Sequence, residues 1–333
     1  MKSSSEPRQP FVSLSYLEHL LQIKRDDLRM LARTSGRYYR PYDLHKKGTN
    51  KWRHIDSPQE PLKALQKRIN KKILNQRLDL LPDGMTGGIS GKSIIENAKV
   101  HIGKEAIGVI DIKDCFPSTS NILIHEVWRS NFGCGREIAQ ILTKLTTFQH
   151  RLPQGAPTSS LLCNFALLPV FEEITNYANS NSLNVTIFVD DITISGNKIN
   201  VVNAIQPIIA VLRKHEYSVR KKKVRILTSG YSQKVTSVTV NSKLSVNRKQ
   251  IQFIRELILE TAKLKGYIPL STRNHIKGKI SFAKQLSKSQ AETLEKFADR
   301  LLIQPTLQVK ISSSDNSRSC NKFRKSHEYI TMS

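Results

Sequence analysis

The segment FVDDITISG, residues 188–196, holds the most chemically suggestive pair in the chain. Two adjacent carboxylates, Asp190 and Asp191, stand between runs of β-branched residues. Neighbouring like charges disfavour one another unless a cation is shared between them. Along a strand the two side chains would point to opposite faces, but the tip of a hairpin brings both to one site. A third carboxylate, Asp111, closes another apolar run, AIGVIDI at 106–112. Two strands delivering three carboxylates to one point suit two-metal phosphoryl transfer. Two Mg²⁺ ions are expected, because hard carboxylate oxygens and nucleotide phosphates complete the octahedron this ion demands. An isolated Asp-Asp pair is more often a turn or a cap. The strand–turn–strand setting and the separate strand-end Asp111 argue for chemistry here.

These residues need a frame. Residues 106–112 read as a buried strand that ends in an acidic turn, Asp111 to Asp114. A hairpin is expected from Asn184–Val189, turn residues Asp190 and Asp191, and Ile192–Ser195, closed by Gly196-Asn197. Helical patterns occupy about 120–130 and 136–147, and a turn-rich loop at 152–158 leads into a helix through about Tyr177. Upstream, helices are expected near 14–21 and 26–32, followed by an irregular or hairpin segment. Pro58 to Leu81 reads as one amphipathic helix, with Leu62, Leu65, Ile69 and Ile73 on one face and Lys63, Lys67, Arg68, Lys71 and Lys72 on the other. Beyond the acidic hairpin come a helix at about 199–215, strands near 218–228 and 234–240, and helices from 248 to 302. Residues 1–10 read as a flexible lead, and the Ser/Asn/Lys-rich end from Ser312 as a mobile tail.

Charge narrows the partners. The chain of 333 residues carries 53 Lys and Arg against 27 Asp and Glu, a formal net charge of +26. A field of that size attracts polyanions, and counterion release then drives nucleic-acid binding. No apolar run approaches the roughly 20 residues that span a bilayer, and no signal peptide is evident. No membrane partner and a cytoplasmic location are therefore expected. Cys115, Cys134, Cys163 and Cys320 show no Cys-x-x-Cys or Cys/His spacing, so neither a zinc site nor a disulfide framework is expected. PDGMTGGISGKS, residues 82–93, ends in Gly-Lys-Ser, yet Thr86 stands where a phosphate loop needs its first glycine.

IDIKDCFPS, RLPQGAPTSSLLCN and FVDD, in that order, resemble the third, fourth and fifth sequence blocks of reverse transcriptases. WRHIDSPQEPLKALQKRINKKIL and GGISGKSIIENAKVH are similar to the first two blocks. The resemblance covers about residues 50–240 and extends through a helical region to about 305. Within that family, Asn97-Ala98-Lys99-Val100-His101 resembles an element of the bacterial retron type. Val235-Thr236-Ser237 stands where retron enzymes carry Val-Thr-Gly. Departures are Ser237 for Gly, Phe188 for the usual Tyr, Ser160 for Pro, and Cys115 for an aromatic.

The resemblance implies an α+β right-hand polymerase: fingers, a palm with a small antiparallel sheet, and a helical thumb. Its expected divisions are an N-terminal extension with fingers at 1–105, a palm at 106–240 with a finger insertion at about 120–150, a thumb at 241–310, and a basic tail at 311–333. Carried over residue by residue, Asp111, Asp190 and the backbone carbonyl of Ile112 would ligate Mg²⁺, with Asp191 beside them. Phe116 matches the position whose ring excludes a ribose 2′-OH. Gln154 and Gly155 would lie along the template–nucleotide pair, and Lys92 would reach the triphosphate. Lys71, Lys72, Asn97, His101, Lys243, Arg248 and Lys249 are the expected RNA contacts. The implied activity is DNA synthesis from deoxynucleoside triphosphates on a cognate structured noncoding RNA. Synthesis would start from an RNA 2′-OH, yield a branched RNA–DNA product, and serve antiphage defence with an effector protein. Alternatives are another defence-associated or group II intron-like reverse transcriptase, and a catalytically idle RNA-binding scaffold.

Overall fold

Runs of Ile, Val and Thr fit a pleated, half-buried surface, and they build the sheet at the centre of the molecule. The computed structural model describes residues 13–45, 50–263 and 268–302. The lead expected at 1–10, the tail at 311–333 and Cys320 lie outside the described residues.

Two helices, α1 (Leu14–Leu21) and α2 (Arg25–Thr34), precede a hairpin of β1 (Tyr39–His45) and β2 (Trp52–Pro58). Next come α3 (Leu62–Lys72) and, after the glycine-rich loop, α4 (Ile94–Lys99). The expected single helix from Pro58 to Leu81 is thus corrected. Pro58 ends β2, and the helix proper runs from Leu62 to Lys72, followed by a 3₁₀ segment at Leu74–Leu80. Pro61 sits just before α3, where its missing N–H costs nothing. At the other end Asn75 Nδ2 donates to the Asn70 carbonyl at 2.8 Å, and Arg77 leaves helical backbone geometry.

β3 (Ala106–Asp111) leads through the single turn α5 (Cys115–Ser118) to α6 (Asn121–Ser130), α7 (Arg136–Thr146) and the long α8 (Ser159–Ser180). β4 (Asn184–Phe188) and β5 (Asp191–Gly196) form the acidic hairpin, and α9 (Lys198–Lys214) and β6 (Arg225–Thr228) follow. Three short strands, β7 (Lys234–Val235), β8 (Val238–Thr239) and β9 (Ser245–Val246), lead to α10 (Arg248–Lys263), α11 (Leu270–Leu286) and α12 (Lys288–Leu302).

The central sheet has the order β4-β5-β3-β6 with every pair antiparallel. Both faces of β3 are covered, and its side-chain alternation assigns them to two separate cores. Ala106, Ile110 and Ile112 join a large cluster that includes Ile187, Ile192 and Ile194 and helices from both sides of the chain. Ile107 and Val109 point the other way, into a cluster with α4, β7–β9 and α10–α12. Asp111 follows in that second alternation. The strand is therefore a wall between two hydrophobic bodies, and its last residue emerges where they part. This mixed architecture, with a small antiparallel sheet flanked by helices, is the right-hand polymerase fold. Among the described residues no helix is long and apolar enough to cross a membrane.

Candidate active site

Phe188 pairs directly with Asp191, so the expected turn at Asp190 and Asp191 is corrected by one residue. Val189 and Asp190 alone make the loop between β4 and β5, and Asp191 is a strand residue. Val189 has φ +60° whereas Asp190 keeps a negative φ. Positive φ at the first loop position only is the pattern of a type II′ turn, where glycine is the ordinary occupant. A β-branched residue held there costs about 1–3 kcal/mol and persists only if its surroundings enforce it.

The enforcing contacts are visible. Ile187 N–H donates to the Gly84 carbonyl and Thr86 N–H donates to the Ile187 carbonyl, both at 2.9 Å. A Cβ at Gly87 would lie 2.3 Å from the Val189 nitrogen, so only glycine permits this approach. Asn164 Nδ2 donates to the Gly87 carbonyl at 2.8 Å, and Ile112 N–H donates to the Asp190 carbonyl at 2.8 Å. The glycine-rich segment that does not form a phosphate loop instead clamps the acidic turn.

Register brings the acids together. Asp111 on β3 faces Asp191 on β5 as a direct cross-strand partner, and Phe188 stands on the far side of Asp191. Cross-strand partners share a face, so Asp111, Asp191 and Phe188 form one row. Asp111 is 1% exposed. Arg220 Nη1 donates to Asp111 Oδ1 at 3.2 Å, Lys223 Nζ donates to Asp111 Oδ2, and Arg220 Nη2 also donates to Asp114 Oδ1 at 2.6 Å. Burial, then the charges of Asp190 and Asp111, push the Asp191 carboxyl up to about 6. Burial and the Asp111 charge raise Asp190 in the same direction.

Carboxyls that burial and neighbouring acids hold above their ordinary range, as at Asp190 and Asp191, gain from a cation. The oxygen donors present are hard carboxylates, the type that suits Mg²⁺. Among the described residues no three acidic, His or Cys side chains already converge as a finished metal cage. The reason is local, since both Asp111 oxygens are taken by Arg220 and Lys223. Those two side chains are 33% and 49% exposed and can turn outward, so the donor set fits a divalent cation.

The polar residues behind this row complete the identification. Asn97 on α4 accepts from Thr86 Oγ1 at 3.0 Å and donates to Thr236 Oγ1 at 3.3 Å. The Asn97–His101 element and the 235–237 triplet are thereby one packed unit against the acidic hairpin. A family model for reverse transcriptase (RNA-dependent DNA polymerase) matches residues 44–255, more than half of the chain. The sequence is 33% identical over 264 residues to the retron Ec86 reverse transcriptase of Escherichia coli, covering 78% of this chain and 80% of that protein. The chain belongs to the retron-type reverse transcriptases. It is also 29% identical over 261 residues to the retron Mx65 reverse transcriptase of Myxococcus xanthus, covering 73% of this chain and 60% of that one. The retron Se72 reverse transcriptase of Salmonella heidelberg is 26% identical over 307 residues, 88% of this chain and 80% of that protein.

In this reverse transcriptase, Phe116 sits on α5 directly after the Asp111 strand, half-buried against the main core. The Gln154 carbonyl accepts from Asp56 N–H at 2.8 Å, tying the loop before α8 to the β1–β2 hairpin. Gly155 has φ +119°, and a Cβ there would lie 2.8 Å from Ile55 Cγ2. Lys71, Lys72, Lys243, Arg248 and Lys249 are all exposed.

Three expected site residues are placed elsewhere. Asn97 and His101 are fully buried, which removes them as direct RNA contacts. His101 Nδ1 is 2.6 Å from Ser195 Oγ and Nε2 is 2.8 Å from Thr186 Oγ1, so both ring nitrogens are used inside the protein. Lys92 Nζ donates to the carbonyls of Asp83 and Met85, each at 3.2 Å, and pairs with the Asp83 carboxylate at 3.4 Å. It braces the loop that clamps the turn rather than reaching toward the acids. Sequence reasoning missed Arg220, Lys223, Asp114 and Gly87. The run RKKKVR at 220–225 was the available signal for the first two.

Proposed function

We propose that this chain copies an RNA template into DNA at Asp111, Asp190 and Asp191. The observation that carries this reading is the direct pairing of Asp111 with Asp191 beside a strained turn that presents Asp190. Two Mg²⁺ would be held by Asp111, Asp190 and the Ile112 carbonyl, with Asp191 beside them. When bound, such ions lower the pKa of an attacking hydroxyl and neutralise a triphosphate. The chain's own contribution is placement: the II′ turn fixes Asp190, the register fixes Asp191, and the two cores fix Asp111. Phe116 would exclude a ribose 2′-OH, and Gln154 and Gly155 would bound the nascent pair. Residues 1–105 would serve as fingers, 106–240 as palm and 241–310 as thumb. The exposed bases Lys71, Lys72, Lys243, Arg248 and Lys249 would follow the RNA backbone.

Similarity to retron enzymes favours a cognate noncoding RNA as template and primer. Synthesis would begin at an RNA 2′-OH, leave a branched RNA–DNA product, and act in cytoplasmic antiphage defence with an effector protein. Recovering the chain from cells and sequencing the nucleic acid bound to it tests this. A branched RNA–DNA hybrid is expected, whereas linear complementary DNA alone would favour a different reverse transcriptase class. In vitro, Asp190→Asn with Asp191→Asn should abolish deoxynucleotide incorporation and leave RNA binding intact. Retained binding with retained synthesis would remove the assignment of the acids.

A further inference from the structure

Two thiols that the proposed polymerase chemistry does not use lie directly beneath the active site. Cys115 Sγ and Cys163 Sγ are 3.3 Å apart, although 48 residues separate them in sequence. Both are buried, at 3% and 0% exposure, and neither is in a disulfide. Their placement is specific. Cys115 opens α5, between Asp114, which holds Arg220, and Phe116. Cys163 is on the first turns of α8, directly after the Pro153–Gly155 loop. The contact therefore joins the two segments that flank the incoming nucleotide in the proposed function.

We propose that Cys115 and Cys163 form a reversible intramolecular disulfide that switches off DNA synthesis by displacing α5. A disulfide needs sulfurs at about 2.05 Å, so closure draws the two together by about 1.3 Å from the thiol contact. The helix that must yield is α5, a single turn of four residues, rather than the 22-residue α8. Phe116 moves with it. Asp114 moves too, and with it the guanidinium that rests on Asp111. A displacement near 1 Å at reacting groups can cost on the order of 100-fold in rate.

The chemistry balances with a peroxide as oxidant. Sulfur of one thiol, Cys115 as the less enclosed, attacks the O–O bond of hydrogen peroxide. The O–O bond breaks, a sulfenic acid forms and one water leaves. Cys163 sulfur then attacks the sulfenic sulfur, the S–O bond breaks and a second water leaves. Both thiol protons end in water, the two sulfurs lose two electrons, and peroxide gains them. The hydrogen bond with Cys163, then burial, raise the Cys115 thiol well above its usual range. Its thiolate is therefore scarce and the first step is slow, which calls for sustained peroxide exposure. At 3% and 0% exposure the pair admits only a small neutral oxidant, and bulky anionic disulfides such as oxidised glutathione are excluded.

The closing experiment treats the full chain, with its bound nucleic acid, with hydrogen peroxide and follows two readouts. Peptide mapping without reductant should give a Cys115–Cys163 cross-link. Deoxynucleotide incorporation should fall at least tenfold and return with dithiothreitol, while Cys163→Ala and Cys115→Ala each keep their activity under peroxide. Absence of the cross-link when Cys134 shows oxidation overturns the proposal. So does an activity loss that persists in the Cys115→Ala/Cys163→Ala chain, or a cross-link that leaves incorporation unchanged. The mapping needs no polymerase activity, so a failure of the polymerase reading is seen separately in the untreated protein.

Discussion

One face of the central sheet carries two polar clusters, a few residues apart on the same strands. At one end Asp111 faces Asp191, with Asp190 at the adjoining turn. At the other, Ser195 on β5 and Thr186 on β4 hydrogen-bond the ring of His101. The second cluster is satisfied within the protein, and burial holds the His101 imidazole down to about 3, so it is neutral. In the first, burial and neighbouring carboxylates raise Asp190 and Asp191, while Asp111 leans on side chains drawn from the surface. Buried polarity that is complete fixes structure, whereas buried charge that is incomplete waits for a ligand.

The largest effect should come from breaking the acidic end. Asp111→Asn keeps the shape of the side chain but removes the charge that Arg220, Lys223 and a divalent cation compete for. Single-turnover deoxynucleotide incorporation should fall by on the order of 10³-fold, as for loss of a principal electrostatic group in other active sites. RNA affinity measured by filter binding should change less than twofold. A variant that polymerises at the native rate would remove Asp111 from the chemistry.

At the satisfied end the expected loss is of stability. His101→Ala removes a ring with no exposure and leaves the Ser195 and Thr186 hydroxyls without their partner, at a cost of about 2–4 kcal/mol. The two ends should also respond to pH with opposite sign. His101 at about 3 lies below its ordinary 6.5, so the unfolded chain binds that proton more readily. Its contribution is complete above about pH 6.5 and is lost as pH falls toward 3. Asp191 at about 6 lies above its ordinary 3.8, so the folded chain binds that proton more readily. Stability from this group is gained as pH falls from about 6 toward 4 and lost as pH rises through that window. Thermal melts in chelator across pH 4–7.5 should show Asp191→Asn losing the acid-side gain and His101→Gln losing the acid-side penalty. Identical pH profiles for the two variants would refute the contrast.

How much of this was legible follows the range over which each feature is decided. The strand ending at Asp111 and the existence of an acidic hairpin were readable because β-branched runs are local signals. The helix Leu14–Leu21 was readable to its ends for the same reason. The hairpin's turn falls one residue earlier than expected, at Val189-Asp190, and Asp191 belongs to β5, because the register depends on pairing with Phe188. Asn97 and His101 were misplaced at the surface because a polar residue on a short helix, or in the turn after it, carries no mark of burial. Their satisfaction depends on Thr236, Thr186 and Ser195, which lie 139, 85 and 94 residues away. Lys92 failed in the opposite direction. Its partners are local, but a lysine in a glycine-rich loop looks the same whether it holds phosphate or backbone carbonyls.

A smaller effect is expected where the acidic end meets its surface cations. Arg220 bonds Asp111 at 3.2 Å and Asp114 at 2.6 Å. At Asp111 Oδ1 a divalent cation need therefore displace only the longer of these two contacts, with Lys223 turning away from Oδ2. Arg220→Gln should lower the Mn²⁺ concentration for half-saturation several-fold, read by electron paramagnetic resonance on the RNA-bound protein. Because Arg220 and Asp114 are partly exposed, their pair itself adds little to stability. The melting temperature should move by no more than a degree or two.

The smallest effect sharpens the satisfied end. Val235 pairs with Val238, so Thr236 and Ser237 alone make the turn between β7 and β8. Their φ values are +45° and +73°, and positive φ at both positions is the type I′ pattern that favours Asn-Gly. Left-handed backbone costs a non-glycine residue about 1–2 kcal/mol, and glycine's extra freedom when unfolded returns about 0.5–1 kcal/mol of that. Ser237→Gly should therefore stabilise the protein by about 0.5–1 kcal/mol, seen as a higher urea midpoint. Thr236 occupies the same kind of backbone but accepts from Asn97 Nδ2 at 3.3 Å and donates to the Ile94 carbonyl at 3.4 Å. Thr236→Gly would relieve similar strain and strand the buried Asn97 amide, at about 1–3 kcal/mol, so its midpoint should fall. Adjacent residues in one turn should thus move the midpoint in opposite directions, because only one of them completes a buried network. A lower midpoint for Ser237→Gly would show that the turn is not strained, and that serine there owes nothing to the backbone.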